Sequence, residues 1–399
     1  MKKKYLVFGL LAASSLYTFG QQADSVYRKK KVSKTAVEVV YAHYLQNGNH
    51  SAVTGGTGTE KLTVYAPSVT LRKQVDSFSN YTINTGVDII SSASTDNIDY
   101  VISSASKVDQ RGYLSFDYNR LLNNKQLELG GSGHFSLESD YLSAGFGLSA
   151  IHTSKDRRRS FSASLDAYFD DLRWGRLSGE RPLKLVYPLE LRYNDWFKVH
   201  KRQSYNLALS FRQDINQRMT LAVFPGIAYQ HGLLATPFHR VYFADSSVHV
   251  EQLPEHRLKI PLGIQLNTFI GDRYILRSYY RFYWDDFGMV AHTIELELPV
   301  NISPEVSLAP YFRFYSQTAA DYFKPFQQQQ LQEFYTSDYD LSAFNSYETG
   351  LEFLLNRLGN AKPTYFDKVG LRYTWYKRSD GLYAHTITFL TDIIFQRKQ

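Results

Sequence analysis

The chain has 399 residues, a formal net charge of +7 and no cysteine, so disulfides and thiolate metal centres are excluded. Mean hydropathy is −0.35, and no uninterrupted apolar run is long enough to cross a bilayer as a helix, which excludes a helical membrane protein. Aromatic residues reach 15%, with 31 Tyr and 26 Phe.

At the N-terminus, Lys2, Lys3 and Lys4 precede an apolar stretch from Tyr5 to Leu16 and the small-residue exit Thr18-Phe19-Gly20. This layout predicts a secretory signal peptide over 1–20, cleaved after Gly20. The stretch is short for a membrane anchor. Residues 1–20 carry three lysines and no acid, so the exported chain has a net charge of +4. Residues 21–34, with Arg28, Lys29, Lys30 and Lys31, read as a basic periplasmic lead. Nucleic-acid binding would need a basic patch on a folded surface, and a solvated tail is the simpler reading.

From Thr35 to Phe395 apolar and polar residues alternate, segment after segment. Phe161, Ala163, Leu165, Ala167 and Phe169 alternate with Ser160, Ser162, Ser164, Asp166 and Tyr168. Leu258, Ile260, Leu262, Ile264 and Leu266 alternate with Arg257, Lys259, Gln265 and Asn267. Successive side chains of a strand point to opposite faces, so one face is apolar and the other polar. Strands are predicted near 35–46, 61–73, 80–92, 111–122, 125–137, 140–153, 160–171, 203–213, 218–231, 257–270, 273–285, 289–301, 305–318, 345–356, 366–378 and 384–396. The expected fold is all-β: a transmembrane antiparallel up-and-down β-barrel over 35–396 with about sixteen strands (fourteen to eighteen), an even number as in bacterial single-chain barrels. The aromatic excess suits interfacial girdles.

Loop lengths supply a separate argument, because outer-membrane barrels alternate short periplasmic turns with longer outer loops. With a periplasmic N-terminus, the connections 47–60, 93–110, 138–139, 172–202, 232–256, 286–288, 319–344 and 379–383 are outer. All the very long ones fall in this set. The opposite set includes the tight turns Asn123-Asn124, Ile215-Asn216-Gln217 and Gly271-Asp272, with 357–365 its longest member. Segment 184–195 is strand-like but holds Pro188, which breaks a ladder. It is placed within loop 172–202, a plug candidate with Arg173, Trp174, Arg181 and Trp196. The last strand puts Ile387, Phe389, Ile393 and Phe395 on one face, like the closing strand that barrel-assembly machinery recognises, but is followed by the polar extension Gln396–Gln399.

If the apolar stripes face lipid, the lumen receives Arg257 and Lys259, then Arg277 and Arg281, then Glu295 and Glu297, Arg313, Glu348 and Glu352, Lys368 and Arg372, and Asp392. The sign alternates from strand to strand, and neighbouring strands lie close enough for opposite charges to pair. Such a wall either polarises a pore, with arginines favouring anions, or consists of pairs that neutralise one another; both can hold together. About sixteen strands leave an aqueous channel unless loops plug it.

Few residues suggest other chemistry. Asp96, Asn97 and Asp99 crowd oxygen ligands in one loop and could hold Ca²⁺, although EF-hand spacing is absent and a plain polar loop is the simpler account. No other cofactor is expected. The Asp pair of Trp284-Asp285-Asp286-Phe287 could bind a cation, but a polar rim turn is the simpler account. His231, His239, His292 and His385 are the histidines weighed as catalytic bases, but no nucleophile elbow accompanies them, and no enzyme is expected. No histidine cluster has zinc spacing, and there is no glycine-rich phosphate loop.

Several long strings resemble an uncharacterised bacterial family, the DUF3570 proteins, in the form typical of the Bacteroidetes. They are Asn49–Leu62 (NHSAVTGGTGTEKL), Val87–Asp99, Leu234–Phe243 (LATPFHRVYF), Arg277–Gly288 (RSYYRFYWDDFG) and Thr336–Ser342 (TSDYDLS). The resemblance implies an outer-membrane barrel, no settled activity and no catalytic residues. It also implies gene neighbours that include a flavin transferase, a small lipoprotein and thioredoxin-like proteins, hence a redox-linked envelope partner. The function expected is porin-like passage of small polar or charged solutes. A plugged barrel acting as scaffold or receptor through loops 93–110, 232–256 and 319–344 is the first alternative, and a barrel enzyme the second.

Overall fold

A computed structural model describes residues 32–92, 108–122, 125–138, 141–172, 200–236, 239–358 and 364–398. The expected signal peptide, residues 21–31 of the lead, Asp96, Asn97, Asp99 and the segment 173–199 with Pro188 lie outside the described residues.

Nineteen strands are present among the described residues: β1 (Val32–Asn47), β2 (Leu62–Gln74), β3 (Ser79–Ser92), β4 (Val108–Leu121), β5 (Leu127–Leu137), β6 (Leu142–Thr153), β7 (Arg159–Asp171), β8 (Lys201–Asn216), β9 (Met219–Gly232), β10 (Arg240–Tyr242), β11 (Val248–Val250), β12 (His256–Ile270), β13 (Tyr274–Asp285), β14 (Val290–Glu297), β15 (Val300–Asn301), β16 (Val306–Gln317), β17 (Phe344–Leu358), β18 (Thr364–Arg378) and β19 (Tyr383–Lys398). All but β10 and β11 join one antiparallel sheet in which each strand pairs with its sequence neighbour, and β1 pairs with β19 to close the ring. β14 and β15 are two halves of one staff, so the barrel has sixteen. The sequence predicts this staff as a single strand over 289–301. It divides because Pro299 has no N–H to give the ladder, although its carbonyl still accepts from Ile275.

Alternation decides which side each residue takes. Phe146, Leu148 and Leu165 are 56%, 64% and 52% exposed, while Ser149, Ser164 and Asp166 line the inner wall. A contiguous apolar surface of this extent on a closed barrel is a lipid-facing belt. Aromatics mark its two edges: Tyr205, Trp284, Tyr347 and Trp375 near one end, Phe78, Phe269, Tyr274 and Phe366 near the other. The barrel therefore spans a membrane. Leu262, outward at mid-strand in β12, tests this: Leu262→Arg is expected to cost about 2–4 kcal/mol of folding stability in lipid vesicles, and an unchanged urea midpoint would contradict a buried belt.

The closing seam is longer than the sequence suggests. β1 begins at Val32, three residues before the expected start at Thr35, and β19 continues through Gln396, Arg397 and Lys398, which pair with Lys34, Ser33 and Val32. The polar extension thus remains in the ladder, because backbone pairing ignores side-chain polarity where the strand leaves the bilayer. At the turns of the shorter end, Asp76 accepts backbone N–H bonds from Phe78 and Ser79, and Asp156 bonds to the Ser154 hydroxyl and the Arg158 N–H. These bonds hold both carboxyls below the usual range.

Candidate functional site

Two features lie where a solute would pass: a charged inner wall and a set of outer loops folded over one mouth.

On the wall, β-pairing places one row of side chains side by side. Tyr279 of β13 stands opposite Glu295 of β14, Glu295 opposite Arg313 of β16, Arg313 opposite Glu348 of β17, and Glu348 opposite Tyr376 of β18. Arg313 reaches both acids, at 3.7 Å to Glu295 and 3.8 Å to Glu348. Nearer the short-turn end, Arg277 pairs with Glu297 at 3.0 Å and Arg372 with Glu352 at 3.5 Å. The Arg372 guanidinium also lies 4.7 Å from the centre of the Tyr311 ring. Lys368 stands opposite Asp392 across β18 and β19, and Asp392 opposite Glu38, which binds Arg72 at 3.0 Å. Lys259 faces inward opposite Asp285.

Two candidates depart from this pattern. Arg281 is exposed on the inner face of β13, opposite Thr293, and makes no ion pair among the described residues. Arg257, read from the sequence as lining the lumen, is instead packed into the outer rim. Only 8% exposed, it donates to Asp285 through Nε (3.0 Å) and a terminal nitrogen, and lies 4.4 Å from the centre of the Phe287 ring. Asp285 is fully buried and also accepts from the Tyr283 hydroxyl (2.6 Å) and the Phe287 and Met289 N–H groups (3.1 Å each). The rim turn Trp284–Phe287 is thus a locked corner.

The inner wall of the first nine strands carries charges that the sequence reading passed over. Arg111 lies 3.6 Å from Asp88 and 3.7 Å from Glu138, and Arg202 binds Asp170 at 2.8 Å. Nearby, Asp117, Ser132, His134, Asp166 and Tyr168 line a lumenal cavity of about 330 Å³. Asp88, Arg111, Asp117, Ser132, His134, Asp166, Tyr168 and Asp170 follow from the alternation phase available in the sequence, whereas Glu138 and Arg202 fall in the predicted connections 138–139 and 172–202.

Over the outer mouth, the connections after β1, β9, β13 and β16 meet. Leu233, Leu234, Leu253, Phe287, Met289, Ala320, Phe323 and Leu341 form one buried apolar cluster. The β16–β17 connection is clamped from the wall: Arg378 donates to Asp340 and Asp380 at 2.6 Å each and to the Tyr339 carbonyl at 2.8 Å, while Gln317 donates to the carbonyls of Asp340 and Ser342. His50, in the β1–β2 connection, stacks on Tyr339 with ring centres 3.9 Å apart. Gly55, at φ 79°, lies against the Tyr242 ring with no room for a Cβ, and a Cβ on Gly56 would come within 2.8 Å of the Tyr339 ring. In the sixteen-stave ring, the β1–β2 and β9–β12 connections are eight staves apart in either direction. The contact of Gly55 with Tyr242 therefore crosses the full width of the mouth.

The histidines take varied places. His292 and His385 accept or donate at 2.8 Å with the Tyr280 and Tyr373 hydroxyls on the outer wall, and His231 stands opposite Gln203 and His256 in the sheet. His239 is buried in the cap beside Glu251 and Asp338. The sequence reading missed this last group, because Glu251 and Asp338 are 12 and 99 residues further along.

The family model described as "Protein of unknown function (DUF3570)" matches residues 8–362. A search of curated proteins finds no match. Among solved structures, the chain is similar to OccK1 (OpdK) of Pseudomonas aeruginosa, at 8% identity over 92% of this chain and 99% of that one, with a TM-score of 0.43. It is similar to a BenF-like porin of Pseudomonas fluorescens Pf-5, at 8% identity over 91% and 99%, TM-score 0.44. A bacterial polysaccharide outer membrane secretin is similar at 11% identity over 90% and 98%, TM-score 0.46.

Proposed function

The chain belongs to the DUF3570 family of proteins of unknown function, and for this member we propose a porin-like channel of the outer membrane that passes small polar or charged solutes beneath a loop cap. Export through the signal peptide expected over residues 1–20 is part of the proposal. The carrying observation is Arg281. It is exposed toward the lumen without an ion pair among the described residues, beside a wall on which Arg277, Arg313 and Arg372 are each matched to glutamates. The one-to-one pairs of Arg277 and Arg372 largely cancel at a distance, and Arg281 is the exposed guanidinium left over on this stretch of wall. It therefore attracts anions locally, against the excess carboxylate of the Glu295–Arg313–Glu348 group and against Asp117 and Asp166 elsewhere on the wall.

Residues 21–399 refolded in detergent and inserted into a planar bilayer provide the test. Arg281→Glu changes two unit charges near the path. In a largely aqueous setting this is worth about 1 kcal/mol, so the anion-to-cation permeability ratio is expected to fall about fivefold. Open steps with unchanged selectivity would remove Arg281 from the path.

A second reading has its own support. The cap bridges the mouth from side to side, as in a plugged barrel that serves as scaffold or receptor for an envelope partner. A folded barrel that is silent in the bilayer would favour it.

A further inference from the structure

We propose that His239, Glu251 and Asp338 form a binding site for a divalent transition-metal cation, Zn²⁺ by its ligand chemistry, which staples the β9–β12 connection to the β16–β17 connection. His239 precedes β10, Glu251 follows β11, and Asp338 caps a single 3-10 turn over Tyr339–Leu341 in the other connection. The three are 5%, 1% and 3% exposed. One donor atom from each lies within 4.8 Å of the others, with His239 Nδ1 at 3.4 Å from Glu251 Oε1 and 3.9 Å from Asp338 Oδ2. Ligands of one zinc ion, bound at about 2.0–2.2 Å, are separated by about 3–3.5 Å. A contraction of roughly an ångström would complete the set.

The groups behind the donors are already oriented. Glu251 Oε2 accepts the Thr236 N–H and its Oε1 the Thr336 hydroxyl, both at 2.5 Å. Thr336 Oγ1 in turn accepts the Asp338 N–H at 3.0 Å, and Asp338 Oδ1 accepts the Asp340 N–H at 2.9 Å. Bonds of this kind fix the direction of ligating carboxylates. The other oxygen of Asp338, Oδ2, on a residue only 3% exposed, is turned toward Nδ1 at 3.9 Å. A single imidazole proton can serve only one of the two carboxylates it faces. A cation serves both and neutralises the buried negative charge. Imidazole with two carboxylates suits Zn²⁺, and a three-donor set with a nitrogen is a poor Ca²⁺ site, since that ion takes six to eight oxygens.

The site stands whether or not the barrel conducts, so its test reads metal directly. The full chain in detergent is stripped with EDTA, equilibrated with Zn²⁺ alone, and analysed for metal per chain. One zinc per barrel is expected in the wild type and none in His239→Ala. Asp338→Asn keeps an oxygen for the Asp340 N–H and so preserves the turn while removing the ligand charge; it should lose the metal as well. Thr336→Val, which frees the Glu251 carboxylate and removes the acceptor of the Asp338 N–H without touching a ligand atom, is expected to weaken zinc binding by about 10–100-fold. Heat-modifiable migration confirms a folded barrel in each case. A wild-type chain that retains no zinc, or zinc retained equally by His239→Ala and Asp338→Asn, overturns the proposal.

Discussion

Arg257→Ala is expected to cost about 3–5 kcal/mol, the loss found when one partner of a buried ion pair is removed and the other charge remains. Asp285 has no exposure at all, and its two oxygens hold the Tyr283 hydroxyl and two backbone N–H groups besides the guanidinium. Without Arg257 the carboxylate either stays charged in a dry corner or takes up a proton and gives up some of those bonds. Asp285→Asn keeps an oxygen for the Phe287 and Met289 N–H groups but leaves the buried Arg257 guanidinium without its charge partner, so a loss of similar size is expected. The damage is local at first. Met289 and Phe287 belong to the cap's apolar cluster, so protease cleavage within the β16–β17 connection should rise before the barrel itself unfolds. Trp284 lies beside the corner and its fluorescence would report the change. A variant with the wild-type midpoint and the wild-type cleavage pattern would show that Asp285 is solvated at this rim.

How much of this was legible beforehand follows from the range of each interaction. The barrel was readable because membrane strands encode their own two faces locally: Ile260, Leu262 and Ile264 identify the lipid side of β12 without knowledge of its neighbours. The pairing of Arg313 with Glu295 and Glu348 was foreseeable from the same phase, since in an up-and-down barrel each strand meets the next and register does the rest. Arg257 broke the reading for a physical reason. It has the right parity for the lumen but sits one step from the rim, where loop residues such as Phe287 cover the wall. The cap's loops 232–256 and 319–344 were readable as outer loops of a plugged barrel, but not which of their residues meet. His239, Glu251 and Asp338, or Gly55 and Tyr242, meet through loops whose course depends on tertiary packing, and no period in the sequence carries that information. The strings Asn49–Leu62, Leu234–Phe243, Arg277–Gly288 and Thr336–Ser342, which carry the resemblance to the family, all contribute residues to this one cap, and the resemblance alone did not reveal that they meet.

Replacing Tyr322–Ser337 by a short Gly-Ser linker is expected to raise single-channel conductance severalfold. The segment supplies Phe323 to the apolar cluster and Thr336 to the network around Glu251, while Asp340 and its clamp by Arg378 and Gln317 remain. With it gone, the β9–β12 connection loses its main support from the β16 side, and the contact between Gly55 and Tyr242 has less to hold it across the mouth. A barrel of sixteen strands is wide enough to leave a water-filled lumen once its loops are withdrawn. The wall pairs should be unaffected, because they are set by strand register rather than by the cap. Selectivity should therefore persist while conductance rises, and Arg281→Glu should shift the permeability ratio in the truncated chain as it does in the full one. Equal conductance before and after truncation would mean that ions already bypass this part of the cap. Silence in both would place the obstruction deeper in the barrel and leave the cap as a docking surface. The combination of larger steps with the same charge preference is the outcome that joins the two features of the site into one conduit, a gate of packed loops above a wall of fixed charge.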